Sequence, residues 1–245
     1  MVALRIFGEG IAMGLSASAR ASRWGTVAVA ACLTIAVSTA CTSRLEKDDS
    51  ASAASDFNSR PASQLDAWST IHTKSYGINA TSLAAYAYAA SVMDQSAPGC
   101  RIGWATLAAI GSVESKHGTV AGARVDSVGN VAPDLRALKL SDPAPAGAIP
   151  DTDGGRYDGS PTEDLPMGPM QFLPSRWEQW STDANNDGVS DADNIDDASL
   201  SAARFLCATG GDLSTPEGWT KAVSAYDRAP NFAAAVHDQA ALYGR

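Results

Sequence analysis

The sequence predicts a mainly α domain that is interrupted by a loop-rich insert. Apolar residues recur at helical spacing in the segments before residue 118 and again after residue 173. Between Val120 and Met167 the helical period is lost, and proline and glycine become frequent, as in DPAPAGAIPDTDGG. Because so long a segment without regular structure is usually functional in a compact domain, the insert is expected to serve the activity.

The first 41 residues have the features of an export signal. Arg20 and Arg23 precede thirteen apolar or small residues, GTVAVAACLTIAV, and small side chains then lead to Cys41. This run is short for a membrane span but suits a signal peptide. The residues before the cysteine are similar to a bacterial lipobox, although Ser38 stands where leucine is usual. We therefore predict a lipoprotein that is lipidated at Cys41, with ordinary cleavage or an uncleaved anchor as alternatives.

Residues 42–64 are rich in serine, alanine and charged side chains, which predicts a flexible tether. Large apolar side chains begin at Leu65 and Trp68, so the predicted helical domain comprises residues 65–245. Within it, polar caps and first-turn prolines predict where helices begin. These predicted starts are Thr81, Pro174, Asp197, Thr215 and Pro230.

Charge and cysteine content narrow the classes of function. The formal net charge is −9, and it becomes −11 without residues 1–40, which carry three arginines and one glutamate. An acidic chain without a Lys/Arg cluster is a poor candidate for binding nucleic acid, and three scattered histidines offer no zinc signature. After cleavage only Cys100 and Cys207 remain to pair. Export predicts a disulfide between them, with two buried free thiols as the alternative.

Glu114 is the first candidate for a catalytic residue. Leu107, Ile110 and Glu114 follow one another at i, i+3 and i+7 in GWATLAAIGSVESKHG, so they share one face of a helix. A carboxylate on an apolar face costs several kcal/mol unless it is paired or protonated. Glu114 is therefore either satisfied by a buried partner or kept protonated for catalysis.

The segment DANNDGVSDADNIDD predicts an EF-hand-like calcium loop. It begins with D-x-[DN]-x-[DN]-G, in which alternating oxygen ligands precede a glycine that permits the sharp turn. Asn194 stands where a bidentate glutamate should close the loop, so Asp191, Asp196 or Asp197 must supply that carboxylate. A solvated acidic turn is the alternative. The predicted ligands before this closing group are Asp183, Asn185, Asp187 and the carbonyl of Val189.

Three motifs in this order resemble one bacterial family. GSVESKHG with Glu114, MGPMQFLPSRW at residues 167–177 and the calcium-like loop are similar to the B-type lytic murein transglycosylases, most closely their actinobacterial exported branch. The resemblance extends from Leu65 to the C-terminus. It implies a lysozyme-like catalytic domain over residues 65–245 that cleaves peptidoglycan.

The resemblance also implies roles for individual residues. The catalytic acid of the family falls on Glu114, and its sugar-contacting glutamine falls on Gln171, beside Phe172. The last calcium ligand falls on Asp197 rather than Asp196. Near the C-terminus the family usually has Ala-Tyr-Asn facing the active site. Here the corresponding residues are Ala225, Tyr226 and Asp227, and the last of these adds a negative charge near the acid.

The reaction implied by the resemblance needs one carboxyl group and no metal. It cleaves the β-1,4 bond between N-acetylmuramic acid and N-acetylglucosamine and forms a 1,6-anhydro sugar, with Glu114 as acid and then base. A hydrolytic muramidase that uses Asp227 as its second carboxylate is the nearest alternative. A catalytically silent peptidoglycan-binding lipoprotein is the alternative from another class. The expected protein is a monomer of the cell envelope that is anchored on the outer face of the cytoplasmic membrane. Its expected partner is the glycan strands of peptidoglycan. It is also expected to hold a structural calcium ion.

Overall fold

Seven α-helices form the framework of the part of the chain that the structure describes. The computed structural model describes residues 60–138 and 148–244. The helices are α1 (Asp66–Tyr76), α2 (Ala80–Ser96), α3 (Trp104–Ser115), α4 (Pro174–Trp180), α5 (Ile195–Gly210), α6 (Pro216–Tyr226) and α7 (Phe232–Tyr243). Two 3-10 helices, Pro61–Leu65 and Val120–Gly122, accompany them. An antiparallel pair of short strands, β1 (Arg124–Val125) and β2 (Val131–Ala132), completes the regular elements. The prediction of a mainly α fold is confirmed.

The folded unit begins before the predicted boundary at Leu65. The predicted signal peptide, residues 1–41 with Cys41, and the tether up to residue 59 lie outside the described residues. Arg60 is buried and forms a bidentate ion pair with Asp196 of α5, in which Nη2 donates to Oδ1 at 2.8 Å and Nε to Oδ2. Ala62 is also fully buried. Residues 60–64 therefore belong to the domain, although their composition is that of a tether.

The predicted helix starts are correct at Pro174 and Thr215 and shifted by two or three residues at Thr81, Asp197 and Pro230. Pro174 and Thr215 begin α4 and α6 as predicted. The N-cap of α2 is Asn79 rather than Thr81, because the Asn79 side chain accepts the Ser82 N–H at 2.8 Å. In the same way Asn194 caps α5 ahead of Asp197. The prediction for α7 is also wrong: this helix begins at Phe232 rather than Pro230, without a side-chain cap.

Close packing holds α3 in the centre of the domain. α3 packs against α2, α5 and α7. A Cβ atom at Gly111 would lie 2.1 Å from the Tyr86 hydroxyl oxygen, so the approach of α3 to α2 requires glycine at this position. Leu107 and Ile110 are fully buried. The helix that carries Glu114 is therefore fixed on more than one side.

His117 fixes the chain directly after α3. The Ser82 hydroxyl donates to the His117 carbonyl oxygen at 3.2 Å. The imidazole forms hydrogen bonds to the Tyr86 hydroxyl, 3.3 Å from Nδ1, and to the Tyr243 hydroxyl, 3.0 Å from Nε2. Burial lowers the pKa of His117 to about 4, so the ring is neutral at pH 7. This neutral ring connects α2, α3 and α7 three residues beyond Glu114.

The predicted disulfide is present. Cys100 and Cys207 are bonded, which joins the segment before α3 to the last third of α5. The adjacent backbone adds a further link, since the Leu213 N–H donates to the Cys100 carbonyl at 2.7 Å. The cross-link closes a loop that includes α3, the insert and α4, and it therefore stabilises the part of the fold that carries the candidate site.

The regular elements in the described part of the insert are the 3-10 helix Val120–Gly122 and the strands β1 and β2, and aspartates shape the chain between residues 148 and 167. Asp151, Asp153 and Asp158 accept backbone N–H groups of residues that follow them, which are turn-forming bonds. Asp164 is buried and accepts both the N–H and the hydroxyl of Thr152. One oxygen from each of Asp151, Asp153 and Asp164 lies within 4.8 Å of the others. As predicted, the described part of the insert has no α-helix, and none of the described helices is long and apolar enough to cross a membrane.

Candidate active site

A cleft of about 830 Å³ opens at the C-terminal end of α3. Its walls come from α3, the insert, the turn before α4, the first turn of α4 and the segment that follows α6. Four residues singled out in the sequence line it together: Glu114, Gln171, Tyr226 and Asp227. The other lining residues are Ala137, Leu138, Ala148, Ile149, Glu163, Asp164, Leu165, Pro166, Leu173, Ser175, Arg176 and Arg228.

The Glu114 side chain is buried at the edge of this cleft. It lies in the last turn of α3 and is 9% exposed. Burial raises its pKa well above the ordinary value, the negative charge of Asp227 raises it further, and the positive charge of Arg176 lowers it. Among the residues that the structure describes, no group donates a hydrogen bond to the Glu114 carboxyl. The raised pKa favours the protonated form of the Glu114 carboxyl group, which faces the cleft.

The MGPMQF segment forms a tight turn that positions Gln171. Met167 and Phe172 pair across the turn, and Gly168 has a φ of 68°. A Cβ atom at Gly168 would lie 1.8 Å from the Ala192 carbonyl oxygen, so only glycine fits there. Gln171 also adopts a left-handed conformation, with a φ of 47°, which directs its side chain across the turn.

The carboxamide of Gln171 is largely occupied by backbone groups. Its Oε1 accepts the Leu138 N–H at 2.8 Å, and its Nε2 donates to the Gly168 carbonyl at 2.7 Å. These bonds join the insert to the turn and so hold one wall of the cleft. Contact between Gln171 and a sugar stays a prediction, since the residue lines the cleft but its described contacts are structural.

Phe172 and Tyr226 lie at different depths. Phe172 is 2% exposed and packs edge to face against Trp177 and Tyr226, so it supports the site from the core instead of lining the cleft. Tyr226 lines the cleft, and its hydroxyl donates to the Met170 carbonyl at 2.8 Å. Burial is the main cause that raises its pKa well above the ordinary value, and the Glu114 charge adds to it. The Tyr226 hydroxyl therefore stays protonated and fixes the MGPMQF turn to the end of α6.

Asp227 lies directly after α6 and lines the cleft with Glu114. Its Oδ1 accepts the Ala229 N–H at 2.7 Å, which fixes the orientation of the carboxyl group. Glu114 and Asp227 come from distant parts of the sequence, and their carboxyl groups interact electrostatically in this cleft. This arrangement agrees with the negative charge that the sequence predicts near Glu114.

Arg176 is a site residue that sequence reasoning missed. Its Nη2 donates to the Ala225 carbonyl at 2.8 Å, and Nη1 donates to the Tyr226 carbonyl. Its guanidinium also lies 4.9 Å from the centre of the Phe205 ring. Arg176 therefore holds the backbone that presents Tyr226 and Asp227. No sequence signal separates it from a solvated arginine, because its carbonyl partners are 49 and 50 residues away.

Three further charged residues line the cleft and were not singled out in the sequence. Glu163 and Asp164 come from the insert, and the exposed Arg228 follows Asp227. The insert thus adds two carboxyl groups to those of Glu114 and Asp227, and Arg176 and Arg228 supply two guanidinium groups. The insert contributes to the site, as its length suggested.

The Asp/Asn/Gly segment forms a closed loop between α4 and α5. Asp183 accepts the N–H groups of Asp187 and Gly188, at 3.2 and 2.9 Å. Asp187 in turn accepts the Val189 N–H at 2.8 Å, and Asn185 accepts the Asp187 N–H at 3.0 Å. These are turn-forming bonds, which the calcium loop and the solvated acidic turn both predict, so the calcium loop stays a prediction.

Asp197 closes this loop from the first turn of α5. Its Oδ1 accepts the N–H groups of Ala184 and Asn185, at 2.7 and 3.2 Å, and its Oδ2 accepts the Asp191 N–H at 2.9 Å. Burial raises the pKa of Asp197 to about 6, although these three bonds act in the opposite direction. Asn194 is used as the N-cap of α5, where its Oδ1 accepts the Asp196 N–H at 2.9 Å.

The oxygen groups of this loop fit a calcium ion by their chemistry. Asp183, Asn185, Asp187 and Asp197 supply hard carboxylate and amide oxygens, which are the ligands that Ca²⁺ prefers. The carboxyl group of Asp197 is fully buried near the charge of Asp183, and both of its oxygens accept backbone N–H groups. A divalent ion would offset both the burial and the repulsion.

One comparison with known proteins gives a match. Residues 166–241 match the family model of the transglycosylase SLT domain. No curated protein and no solved structure matches the chain. The match supports a lytic transglycosylase family. It covers less than a third of the chain, and it includes the MGPMQF turn, the calcium-like loop and Asp227 but not Glu114.

Proposed function

We propose that the chain is a peptidoglycan lytic transglycosylase that cleaves the β-1,4 bond between N-acetylmuramic acid and N-acetylglucosamine. The observation that carries the proposal is the Glu114 carboxyl group, which is buried at the edge of a cleft and has no hydrogen-bond donor among the described residues. The match of residues 166–241 to a transglycosylase domain supports the same activity, because that segment supplies Gln171, Tyr226 and Asp227 to the cleft.

In the first step Glu114 acts as a general acid. Its proton passes to the glycosidic oxygen, the bond from that oxygen to C1 of the muramic acid breaks, and positive charge develops at the sugar ring. The substrate's own N-acetyl group stabilises this charge. Glu114 is suited to the step because burial raises its pKa and so favours the protonated form that an acid needs.

In the second step the ionised Glu114 acts as a general base. It removes the proton from the 6-hydroxyl of the muramic acid, whose oxygen attacks C1 and forms the 1,6-anhydro sugar. The proton returns to Glu114, so the catalyst is regenerated without water. The same group performs both steps, which explains why one buried carboxyl can suffice.

The test is mass spectrometry of purified peptidoglycan after digestion by the mature chain. The proposal predicts 1,6-anhydro ends, and a Glu114→Gln variant should lower their rate of formation by about 10²- to 10⁴-fold. Glu217→Gln is the matched control, because Glu217 is an exposed glutamate in the first turn of α6. Equal loss in both variants would contradict a specific role for Glu114.

A hydrolytic muramidase is the second candidate, because Asp227 lies in the same cleft as Glu114. Inverting and retaining glycosidases use two carboxyl groups, one of which activates water or attacks the sugar. The same digest separates the candidates. Reducing ends in place of anhydro ends would favour the muramidase and make Asp227 its second carboxylate. Binding without any turnover would favour the catalytically silent peptidoglycan-binding protein.

We also propose that calcium occupies the loop of residues 183–197 in a structural role. Asp183, Asn185, Asp187 and Asp197 would hold the ion with the Val189 carbonyl. The ion would supply charge compensation and take no part in the reaction. A calcium titration monitored by isothermal calorimetry tests whether the loop binds the ion. Absence of binding at millimolar calcium would contradict the proposal.

We further propose that the protein is exported and acts as a monomer on the outer face of the cytoplasmic membrane, anchored by a lipid on Cys41. The leader sequence and the Cys100–Cys207 disulfide support export. Metabolic labelling with a fatty-acid analogue tests the anchor. Label should disappear in Cys41→Ser and persist in Cys32→Ser, a control within the same leader.

A further inference from the structure

Asp227 is placed to act on Glu114 through its charge. Both carboxyl groups line one cleft, although they come from different helices. The Asp227 carboxyl is held by the Ala229 N–H at 2.7 Å, so its orientation is fixed. The Asp227 side chain is half-buried, and its charge is therefore only partly screened by water.

Arg176 does not neutralise this pair by a direct bond. Its two terminal nitrogens donate to the carbonyl groups of Ala225 and Tyr226. The guanidinium therefore fixes the backbone next to Asp227, while the Glu114 carboxyl receives no hydrogen bond within the described residues. Two carboxyl groups that interact within one cleft cannot both be ionised at low cost, and Arg176 offsets this repulsion only by its charge, without a hydrogen bond to either group.

We propose that Asp227 is a positioning residue for the proton of the reaction: its negative charge keeps the proton on Glu114 until the substrate's glycosidic oxygen takes it. The inference rests on the proposed function. It adds a second residue whose role is electrostatic, without contact with the reacting atoms. It also assigns Asp227 a role other than that of a water-activating base.

Burial and neighbouring charges act on the pKa of Glu114 in different directions. Burial is the largest cause of its raised pKa, Asp227 is the next, and Arg176 opposes both. Tyr226 is coupled to Glu114, Arg176 and Asp227 but is itself held neutral by burial. On the other sides of α3, Tyr86 and His117 are held neutral by burial as well. The other ionisable groups lining the cleft are Glu163, Asp164 and Arg228.

The test is a pH titration of Glu114 in the substrate-free protein. It is monitored by NMR of the side-chain carboxyl carbons in ¹³C-labelled protein. Asp227→Asn keeps the oxygen that accepts the Ala229 N–H and removes only the charge. The midpoint of Glu114 should move to lower pH in this variant. Glu163→Gln is the matched control: Glu163 also lines the cleft but does not contribute to the raised pKa of Glu114, so this variant should leave the midpoint of Glu114 where it is.

A rate measurement gives the second readout. If the proton on Glu114 depends on Asp227, the Asp227→Asn variant should lose about threefold or more in kcat/KM at pH 8 relative to pH 5, compared with the wild type. An unchanged midpoint in a folded Asp227→Asn variant, or a shift to higher pH, would overturn the inference. Because the titration uses no substrate, it decides the inference even if the wild type has no turnover, which would overturn the proposed function instead.

Discussion

Glu114 at the end of α3 and Asp197 at the start of α5 are both buried carboxyl groups whose pKa is raised by desolvation. They differ in their hydrogen-bond partners. Asp197 accepts three backbone N–H groups, whereas Glu114 accepts none within the described residues. A buried carboxyl group with a full set of donors holds a loop together. One without donors costs stability and is retained for another reason, which here we propose to be catalysis.

A third buried carboxyl group, Asp196, gives the largest expected effect on stability. Its partner is Arg60, and removing that partner leaves an uncompensated charge in the core. We expect Arg60→Ala to lower the free energy of unfolding by about 3 to 5 kcal/mol in urea denaturation. The double change Arg60→Ala with Asp196→Ala should be less destabilised than the single one. Equal stability of Arg60→Ala and the wild type would show that residues 60–64 are not part of the folded unit.

His117 extends the comparison to a buried base. Its pKa is about 4 in the folded protein and about 6.5 in an unfolded chain, so the unfolded state binds the proton first as pH falls. The His117 contribution to stability is therefore present above pH 6.5 and decreases by about 3 kcal/mol down to pH 4.

The measurement for His117 is the free energy of unfolding at pH 7 and at pH 4. His117→Asn cannot titrate and tolerates the left-handed backbone at this position. The free energy of unfolding of His117→Asn should therefore decrease less than that of the wild type between pH 7 and pH 4. Parallel pH profiles of the two proteins would mean that the ring is accessible to protons in the folded state.

Calcium should change the stability of the region around Asp197 and not that around Glu114. At a calcium concentration about a hundredfold above Kd, binding should stabilise the wild type by about 2.7 kcal/mol, and EDTA should remove this gain. In Asp197→Asn the Tm should respond little to either addition. A Tm that responds to calcium equally in both proteins would exclude Asp197 as a ligand.

The smallest effect concerns buried hydroxyl groups without a partner. Ser199 and Ser201 of α5 have no hydrogen-bond partner for their hydroxyls within the described residues. Replacing Ser199 by alanine should raise the free energy of unfolding by up to about 1 kcal/mol, because an unsatisfied polar group is removed. A decrease of similar size in the free energy of unfolding would mean that the Ser199 hydroxyl forms a hydrogen bond in solution.

Local patterns in the sequence were sufficient to predict part of the fold and of the candidate site. The spacing of Leu107, Ile110 and Glu114 correctly predicted the buried face of α3, and a first-turn proline correctly predicted the start of α4. The disulfide between Cys100 and Cys207 followed from the predicted export and from the number of cysteines that remain after cleavage of the leader. In each case the signal lies within a few residues or in the number of candidates.

The features that were missed depend on contacts between distant segments. Arg176 binds carbonyl groups 49 and 50 residues away, and Arg60 pairs with a residue 136 positions away. Neither arginine differs in its local sequence from one in solvent. Gln171 adopts a left-handed backbone that spacing does not indicate, so its bonds to Leu138 and Gly168 could not be foreseen.

The most direct test of the difference between Glu114 and Asp197 is the free energy of unfolding of Glu114→Gln relative to the wild type, from pH 4 to pH 8. The raised pKa of Glu114 means that the folded wild type loses stability as pH rises above the unfolded value of about 4.5. The account predicts that Glu114→Gln is as stable as the wild type at pH 4 and increasingly more stable toward pH 8. A variant that is less stable than the wild type at pH 8 would show that Glu114 is a structural carboxylate with donors of its own.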